Sequence, residues 1–310
     1  MNVVFLGFGT YGAASLTGLI ESNDVNVDLV ISHPQKPNDP ESNTVLDIAK
    51  QHGIHTLQSA MLSETYIGES IVSAAPDAIV STNWRRQIPE RIFKLSKLGT
   101  VNIHDALLPS YGGLSAEQWV VLKGETKTGV TVHFVSEQMD AGPIILSEAF
   151  EIDNYDTAET ISSKQLEIYP RIICKALSKI SEEGFQPECR NPDEYVRYHS
   201  LSRRDAKLSF DKSPTEIARQ MRAWSGKFGG CWLDVGETRY NLHEVEFPEI
   251  SVAGIPGRVV THTERGTWVA TSPCTETKHS GVIIRKVEDP DGNLLDSRKV
   301  MWRGLQLGAG

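Results

Sequence analysis

The 310-residue chain has only four cysteines, at positions 174, 189, 231 and 274, and no CxxC pair. That spacing excludes a zinc ribbon and argues against a disulfide scaffold, so a reducing cytoplasmic setting is expected. No apolar run approaches the ~20 residues that span a bilayer, so no membrane partner is expected. The opening segment, Met1 to Gly7 (MNVVFLG), lacks the basic stretch of a secretory leader. The nine histidines include no HxH or HExxH pattern, and no metal is expected. There is no internal repeat and no low-complexity tract. Basic charge is scarce in the first part of the chain. Residues 1–197 carry 15 Lys and Arg against 26 Asp and Glu, a net of −11; residues 198–310 carry 16 against 14, a net of +2. An acidic surface repels polyphosphate, which argues against a DNA-binding role.

Hydrophobic residues make up 39% and charged residues 23%, which points to a folded chain. Its length suggests two domains at ~100–200 residues each. Short apolar runs alternate with helical spacing. Strands are expected at Asn2–Gly7, Val25–Ser32, Asp77–Ser81 and Thr100–Ile103. Helices are expected at Thr10–Glu21, Thr44–His52 (with Asn43 as N-cap), Ser63–Ala75 and Pro89–Leu98. This alternation is the signature of a parallel α/β sheet. A helix at Ser115–Leu122, strands at Gly129–Val135 and Pro143–Phe150, and a long helix over Thr157–Glu183 follow. Residues 184–199 read as a linker. After a short helix at Ser213–Arg222 come strand-like pieces separated by Gly and Pro, which suggests a small β-barrel or open β domain.

Three segments carry chemistry. Gly7-Phe8-Gly9-Thr10-Tyr11-Gly12 fits GxGxxG after the first strand, but the acid expected near the end of strand two is absent: the sequence there is Val30-Ile31-Ser32-His33. The turn then reads either as a dinucleotide site or as a close strand–helix junction. In Asn102-Ile103-His104, strand alternation puts Asn102 and His104 on one face, at the C-terminal end of a strand. Ligands bind at that end in open α/β sheets. The third segment, Gln138-Met139-Asp140-Ala141-Gly142, is a loop after the 129–135 strand.

Taken in order, Asn102-Ile103-His104, Leu107-Leu108-Pro109, Gly113, Thr128-Gly129-Val130-Thr131 and Met139-Asp140-Ala141-Gly142 resemble the folate-dependent formyltransferase family. Arg86-Gln87-Ile88-Pro89 and the stretch 203–224 extend the likeness, the latter to the C-terminal domain of methionyl-tRNA formyltransferases. The resemblance implies a Rossmann-like α/β catalytic domain over 1–198 and a small, mainly-β, OB-like domain over 199–310. It further implies 10-formyltetrahydrofolate as co-substrate. The pterin would lie between Arg86, Gln87, Ile88 and Pro89 on one side and Gln138 and Met139 on the other. Asn102, His104 and Asp140 would be the catalytic residues. Formyl transfer needs donors for a developing oxyanion, which Asn102 and His104 can supply. It also needs a carboxylate to orient the imidazole, for which Asp140 is the candidate. Gly9, Tyr11, Ser110, Tyr111 and Glu117 are candidate acceptor contacts. Glu117 can also be read as a helix-dipole partner beside a Ser115 N-cap.

The resemblance also marks departures. Methionyl-tRNA formyltransferases carry a long basic loop after the second strand. Here His33–Glu41 is short, with Lys36 against Asp39 and Glu41. The family's usual Arg before the conserved glycine is replaced in Tyr111-Gly112-Gly113. These differences argue against tRNA and for a small or carrier-bound amine or hydroxylamine, such as an amino sugar, a hydroxyornithine or an amino acid. Methionyl-tRNA formylation, folate hydrolysis on the same scaffold, a nicotinamide-dependent oxidoreductase and a silent binding module remain as competing readings. The C-terminal aromatics, Trp224, Phe228, Trp232, Tyr240, Trp268 and Trp302, are expected mostly in packing roles. That domain is left to cover the acceptor pocket or support a homodimer.

Overall fold

The computed structural model describes residues 1–37, 44–189, 191–274 and 279–308. The chain forms two compact units. One comprises Met1–Ala116, Lys127–Glu151 and Ser162–His199; the other comprises Glu117–Thr126, Ile152–Ile161 and Ser200–Gly310.

Along the chain, β1 (Asn2–Gly7), α1 (Gly9–Glu21), β2 (Asn26–Ser32), α2 (Thr44–Gln51), β3 (His55–Gln58), α3 (Thr65–Ser73), β4 (Ala78–Thr82), α4 (Glu90–Phe93) and β5 (Thr100–His104) come first. Then follow β6 (Gly112–Gly113), α5 (Ala116–Lys123), β7 (Lys127–Phe134), β8 (Ile144–Glu151), α6 (Ala158–Ile180) and β9 (Arg197–Tyr198). A seven-stranded sheet runs in the order β3-β2-β1-β4-β5-β7-β8. The first five strands are parallel. β7 runs antiparallel to both β5 and β8, a local departure within the parallel-dominated sheet that the alternation predicts. For the β7–β8 pair the reason is connection length: the few residues between them can close a hairpin but cannot make a parallel crossover. Strand β3 is a second departure. Its residues, HTLQ, sit at the sheet edge with none fully buried, so they carry no apolar signal. The helix expected over 89–98 contracts to four residues. Asn43, read as an N-cap, lies outside the described residues.

Strand alternation sorts the core onto two faces of the sheet. Val3 and Phe5 of β1 join Val80, Val101 and Ile103 under Leu16 and Leu19 of α1 and Tyr169 and Ile172 of α6. Val4 and Leu6 join Ile79, Leu29 and Ile31 against Ile67 and Ile71 of α3. The GxGxxG turn is a packing device here. Gly9 adopts φ +66, and a Cβ at Gly12 would lie 2.9 Å from the Val45 side chain.

In the second unit, α7 (Pro214–Ala223) opens with a full capping box. The Ser213 hydroxyl accepts the Glu216 N–H, and the Glu216 carboxylate accepts from Ser213. Such caps stabilise a helix by about 1 kcal/mol. Beyond it lie β10 (Cys231–Val235), β11 (Thr238–Leu242), β12 (Val245–Glu246), β13 (Val259–Thr263), β14 (Gly266–Val269), β15 (Val282–Ile284), β16 (Lys286–Glu288), β17 (Leu294–Asp296) and α8 (Ser297–Val300). They form two four-stranded antiparallel sheets, β10-β11-β16-β17 and β12-β15-β14-β13. Trp224 and Trp232 are buried, whereas Trp302 is exposed. Among the described residues, no helix is long and apolar enough to cross a membrane.

Helices α1 and α6 cross at Gly18, where a Cβ would stand 2.3 Å from the Pro170 carbonyl oxygen. Gly→Ala inside a helix ordinarily stabilises by up to about 1 kcal/mol. Gly18→Ala should instead destabilise by about 1–3 kcal/mol, because backbone must move. Urea unfolding measures it, and an unchanged or raised midpoint would contradict this contact.

Candidate active site

The strand order reverses direction between β1 and β4, so a crevice opens at the C-terminal ends of the central strands. A cavity of about 390 Å³ lies beside it, at the ends of β4 and β5. Asn102 and His104 project from β5, two residues apart and on one face. Trp84, Arg86, Gln87 and Ile88 follow β4 on one side, and Gln138, Met139 and Asp140 follow β7 on the other. The Gln87 amide donates to the Glu137 carbonyl at 2.7 Å and ties the two loops together. A roomier depression of about 560 Å³, lined by Asp28, His55, Tyr66 and Glu69, lies away from these residues and holds none of them. Among the described residues, no group of three His, Cys, Asp or Glu is arranged to hold a metal ion.

Asn102, His104 and Asp140 come together. His104 Nδ1 lies 3.7 Å from Asp140 Oδ2. Its Nε2–H donates to the Tyr111 carbonyl at 2.7 Å. Asp140 Oδ2 also accepts the Gly113 N–H at 2.8 Å. The sequence reading missed two residues. His133 on β7 stands directly opposite Asn102 in the sheet register. Its Nε2 lies 3.2 Å from the Asn102 amide nitrogen and 3.6 Å from Asp140 Oδ1. Asp105 places a second carboxylate 3.6 Å from His104 Nδ1. Thr131 and His133 alternate on one strand, which was a readable signal. Their pairing with β5 was not, because the antiparallel placement of β7 is a tertiary fact.

The other candidates fall in several places. Arg86, Gln87, Ile88, Gln138 and Met139 line the cavity, and Pro89 is the N-cap of α4 beside it. Gly9 begins α1. The Tyr11 hydroxyl donates to Gln165 at 2.8 Å, and the Gln165 amide donates to the Asp105 carbonyl at 2.6 Å, so Tyr11 braces the loop after β5. Ser110 is exposed. Glu117 belongs to the second unit and is buried. Ser115 before it has φ +58.

The Gly112-Gly113 pair has a steric cause. Strand β9 pairs with it in parallel. A Cβ on Gly112 would meet the Tyr195 ring at 2.8 Å, and one on Gly113 would meet the Tyr198 carbonyl at 2.2 Å. The Tyr198 ring stacks on Tyr111 at 4.8 Å, and the Tyr195 hydroxyl donates to the Met139 carbonyl. Residues 195–198 thus strap the two loops that carry the Tyr111 carbonyl and Asp140. Tyr111 (φ +59) and Asp140 (φ +55) are both left-handed non-glycine residues. Such conformations cost of order 1–3 kcal/mol each and persist only where the surroundings enforce them.

Burial works to raise the Asp140 carboxyl. The His104 charge, the His133 ring and the Gly113 N–H outweigh it and hold the group well below the usual carboxylate range. His33, after β2, behaves in the opposite sense to a charged ligand. Burial first, then Arg85, Arg86 and Lys36, push it from 6.5 down to about 4. The ring stacks on Trp84 at 3.9 Å, and its Nε2 accepts the Arg85 N–H at 3.2 Å. His33 therefore stays neutral in the fold and supports one wall of the cavity. Its contribution to stability is complete above pH 6.5 and is lost as pH falls from there toward 4, where the unfolded chain binds the proton first. Asp140 contributes above about pH 4 and is lost only in more acid solution. Between pH 7 and 4.5, His33→Gln should flatten the fall in the denaturant midpoint relative to the parent protein; parallel slopes would contradict this assignment.

The chain matches the formyl transferase family over residues 1–177 and the formyl transferase C-terminal domain over 200–304. The methionyl-tRNA formyltransferase of Mesoplasma florum is 27% identical over 309 residues, covering 98% of this chain and 96% of that protein. Among solved structures, the N-formyltransferase from Helicobacter canadensis, in complex with folinic acid and dTDP-3-aminofucose, superposes with a TM-score of 0.65 at 17% identity, covering 91% and 98% of the two chains. HypX from Aquifex aeolicus, in complex with tetrahydrofolic acid, gives 0.59 at 19% identity, covering 96% of this chain and 46% of that one. The Asn-x-His strand, the Asp140 loop and these two consecutive domain matches make this chain a member of the formyl transferase family.

Proposed function

We propose that the protein transfers the formyl group of 10-formyltetrahydrofolate to an amine nitrogen of a small or carrier-bound acceptor. The observation that carries this reading is the convergence of Asn102, His104 and Asp140 at one end of a cavity whose walls suit a flat heterocycle. Ile88 and Met139 offer apolar surface, and Arg86 and Gln87 offer polar edges. Asn102 presents an amide N–H to the oxygen that becomes negative as the amine attacks, and His104, with Nε2–H on the Tyr111 carbonyl and Nδ1 between two carboxylates, adds positive charge nearby when it carries its second proton. His104 also returns a proton to the departing folate nitrogen. Asp140, ionised throughout the working pH range, orients His104 and attracts its charged form. His133 fills the space between Asn102 and Asp140 and keeps the amide turned toward the reacting group. The second unit is read as an OB-like domain that supports a homodimer, and the reaction takes place in the cytoplasm.

The acidic first part of the chain and the short loop after β2 support a small acceptor over an RNA. Formylation of methionyl-tRNA is the second reading. It is favoured by 27% identity to such an enzyme across nearly the full length of both chains. Incubation with 10-formyltetrahydrofolate and a panel of methionyl-tRNA, a nucleotide-linked amino sugar, hydroxyornithine and a carrier-bound amino acid separates them. Turnover of a small acceptor with no transfer to methionyl-tRNA is expected, and efficient transfer to methionyl-tRNA would replace the first reading with the second.

Removing one oxyanion donor costs about 2.7–4 kcal/mol in the barrier, or about 10²–10³ in kcat. His104→Ala and Asn102→Ala should each fall by that much, and Asp140→Asn at least as far, with circular dichroism unchanged. Near-parental turnover in His104→Ala would refute the catalytic assignment.

A further inference from the structure

His104 Nδ1 faces two carboxylates at nearly equal distance, Asp105 at 3.6 Å and Asp140 at 3.7 Å. Their surroundings differ. The Asp140 side chain is 8% exposed. Its Oδ2 takes the Gly113 N–H, and its Oδ1 stands 3.6 Å from His133 Nε2, so both oxygens are engaged. A carboxylate held well below its ordinary range is also a weak proton acceptor. The Asp105 side chain is 26% exposed and lines the cavity. Its main chain is fixed from behind, since Gln165, itself held by the Tyr11 hydroxyl, donates to the Asp105 carbonyl. The backbone is anchored while the carboxylate borders the cavity beside His104. The other titratable groups around that space are His104, His133, Asp140, Arg85 and Arg86.

We propose that Asp105 is the acceptor-binding carboxylate: it pairs with the substrate as an alkylammonium ion and takes the proton that frees the attacking amine. This rests on the formyl-transfer reading and narrows its acceptor to a primary amine that is cationic at neutral pH. A hydroxylamino nitrogen, a much weaker base, is uncharged there and gains nothing from the pairing. The step balances as follows. The ammonium R–NH3⁺ gives one proton to Asp105 and attacks the formyl carbon as R–NH2. A C–N bond forms, and the carbonyl oxygen takes the electron pair. As that pair returns, the bond from the carbon to folate N10 breaks. N10 leaves with its electrons and takes, through His104, the second proton of the attacking nitrogen. The products are R–NH–CHO and tetrahydrofolate, and Asp105 gives its proton to solvent. Asp140 orients, and Asp105 binds and accepts.

The test uses the full chain with 10-formyltetrahydrofolate and two small nucleophiles, methylamine and hydroxylamine, followed by tetrahydrofolate release across pH 6–9.5. In the parent protein methylamine should accelerate release. Asp105→Asn should lower kcat/KM for methylamine at least tenfold more than it lowers that for hydroxylamine, mostly through KM, and move the methylamine profile to higher pH. Asp105→Glu should keep the methylamine preference, which separates lost charge from lost packing. Equal losses with both nucleophiles, no methylamine acceleration in the parent protein, or an unaltered pH profile in Asp105→Asn would overturn the proposal. No acceleration of tetrahydrofolate release by either nucleophile in the parent protein would instead overturn the formyl-transfer reading, so the two failures are distinguishable.

Discussion

The arrangement around the cavity depends on the Asp140 carboxylate being held, in its ionised form, by groups from separate parts of the chain. Burial alone would neutralise or expel it. The Gly113 N–H, the His104 ring and the His133 ring compensate the lost solvation, so a buried charge becomes a fastening point. Through it β5, β7 and the 111–113 loop share one electrostatic centre. The left-handed backbone at Asp140 and Tyr111 is tolerated because this centre and the 195–198 strap enforce it.

The sheet explains why such a centre can be precise. β4, β5 and β7 are consecutive in the sheet, so the loops leaving them lie side by side. Two buried apolar layers hold those strands rigid, and functional groups are carried at strand ends and on loops anchored by hydrogen bonds. Gly113 shows how tightly packing and chemistry are joined. It leaves room for the Tyr198 carbonyl on one side while its N–H serves Asp140. In Tyr111-Gly112-Gly113 the residue where the family usually has Arg is a glycine, and the Tyr195 ring supplied by the linker fills the space beside it.

Much of the fold was legible because its signals are local. The five apolar runs of the central strands, the helical spacing of Thr10–Glu21 and the short helix at Ser213–Arg222 all read directly. β3 did not, since an exposed four-residue edge strand buries too little to show a pattern. The antiparallel turn of β7 and β8 did not either, because strand direction follows from connection geometry and not from composition. For the site, motif order singled out Asn102, His104 and Asp140. His133 and Asp105 were overlooked, since each gains meaning only from what stands across from it.

By itself the sequence determined which segments could bury an apolar face, where the chain would turn, and which side chains had the chemistry for acyl transfer to nitrogen. Those are properties of neighbours along the chain, set by period and residue type. Tertiary structure alone decided that His133 would stand opposite Asn102, that one imidazole would lie between two aspartates, and that one of them would be buried while the other bordered the cavity. These outcomes depend on the relative placement of strands distant in sequence. The charge state and solvent access of a carboxylate follow from what that placement brings within a few ångströms.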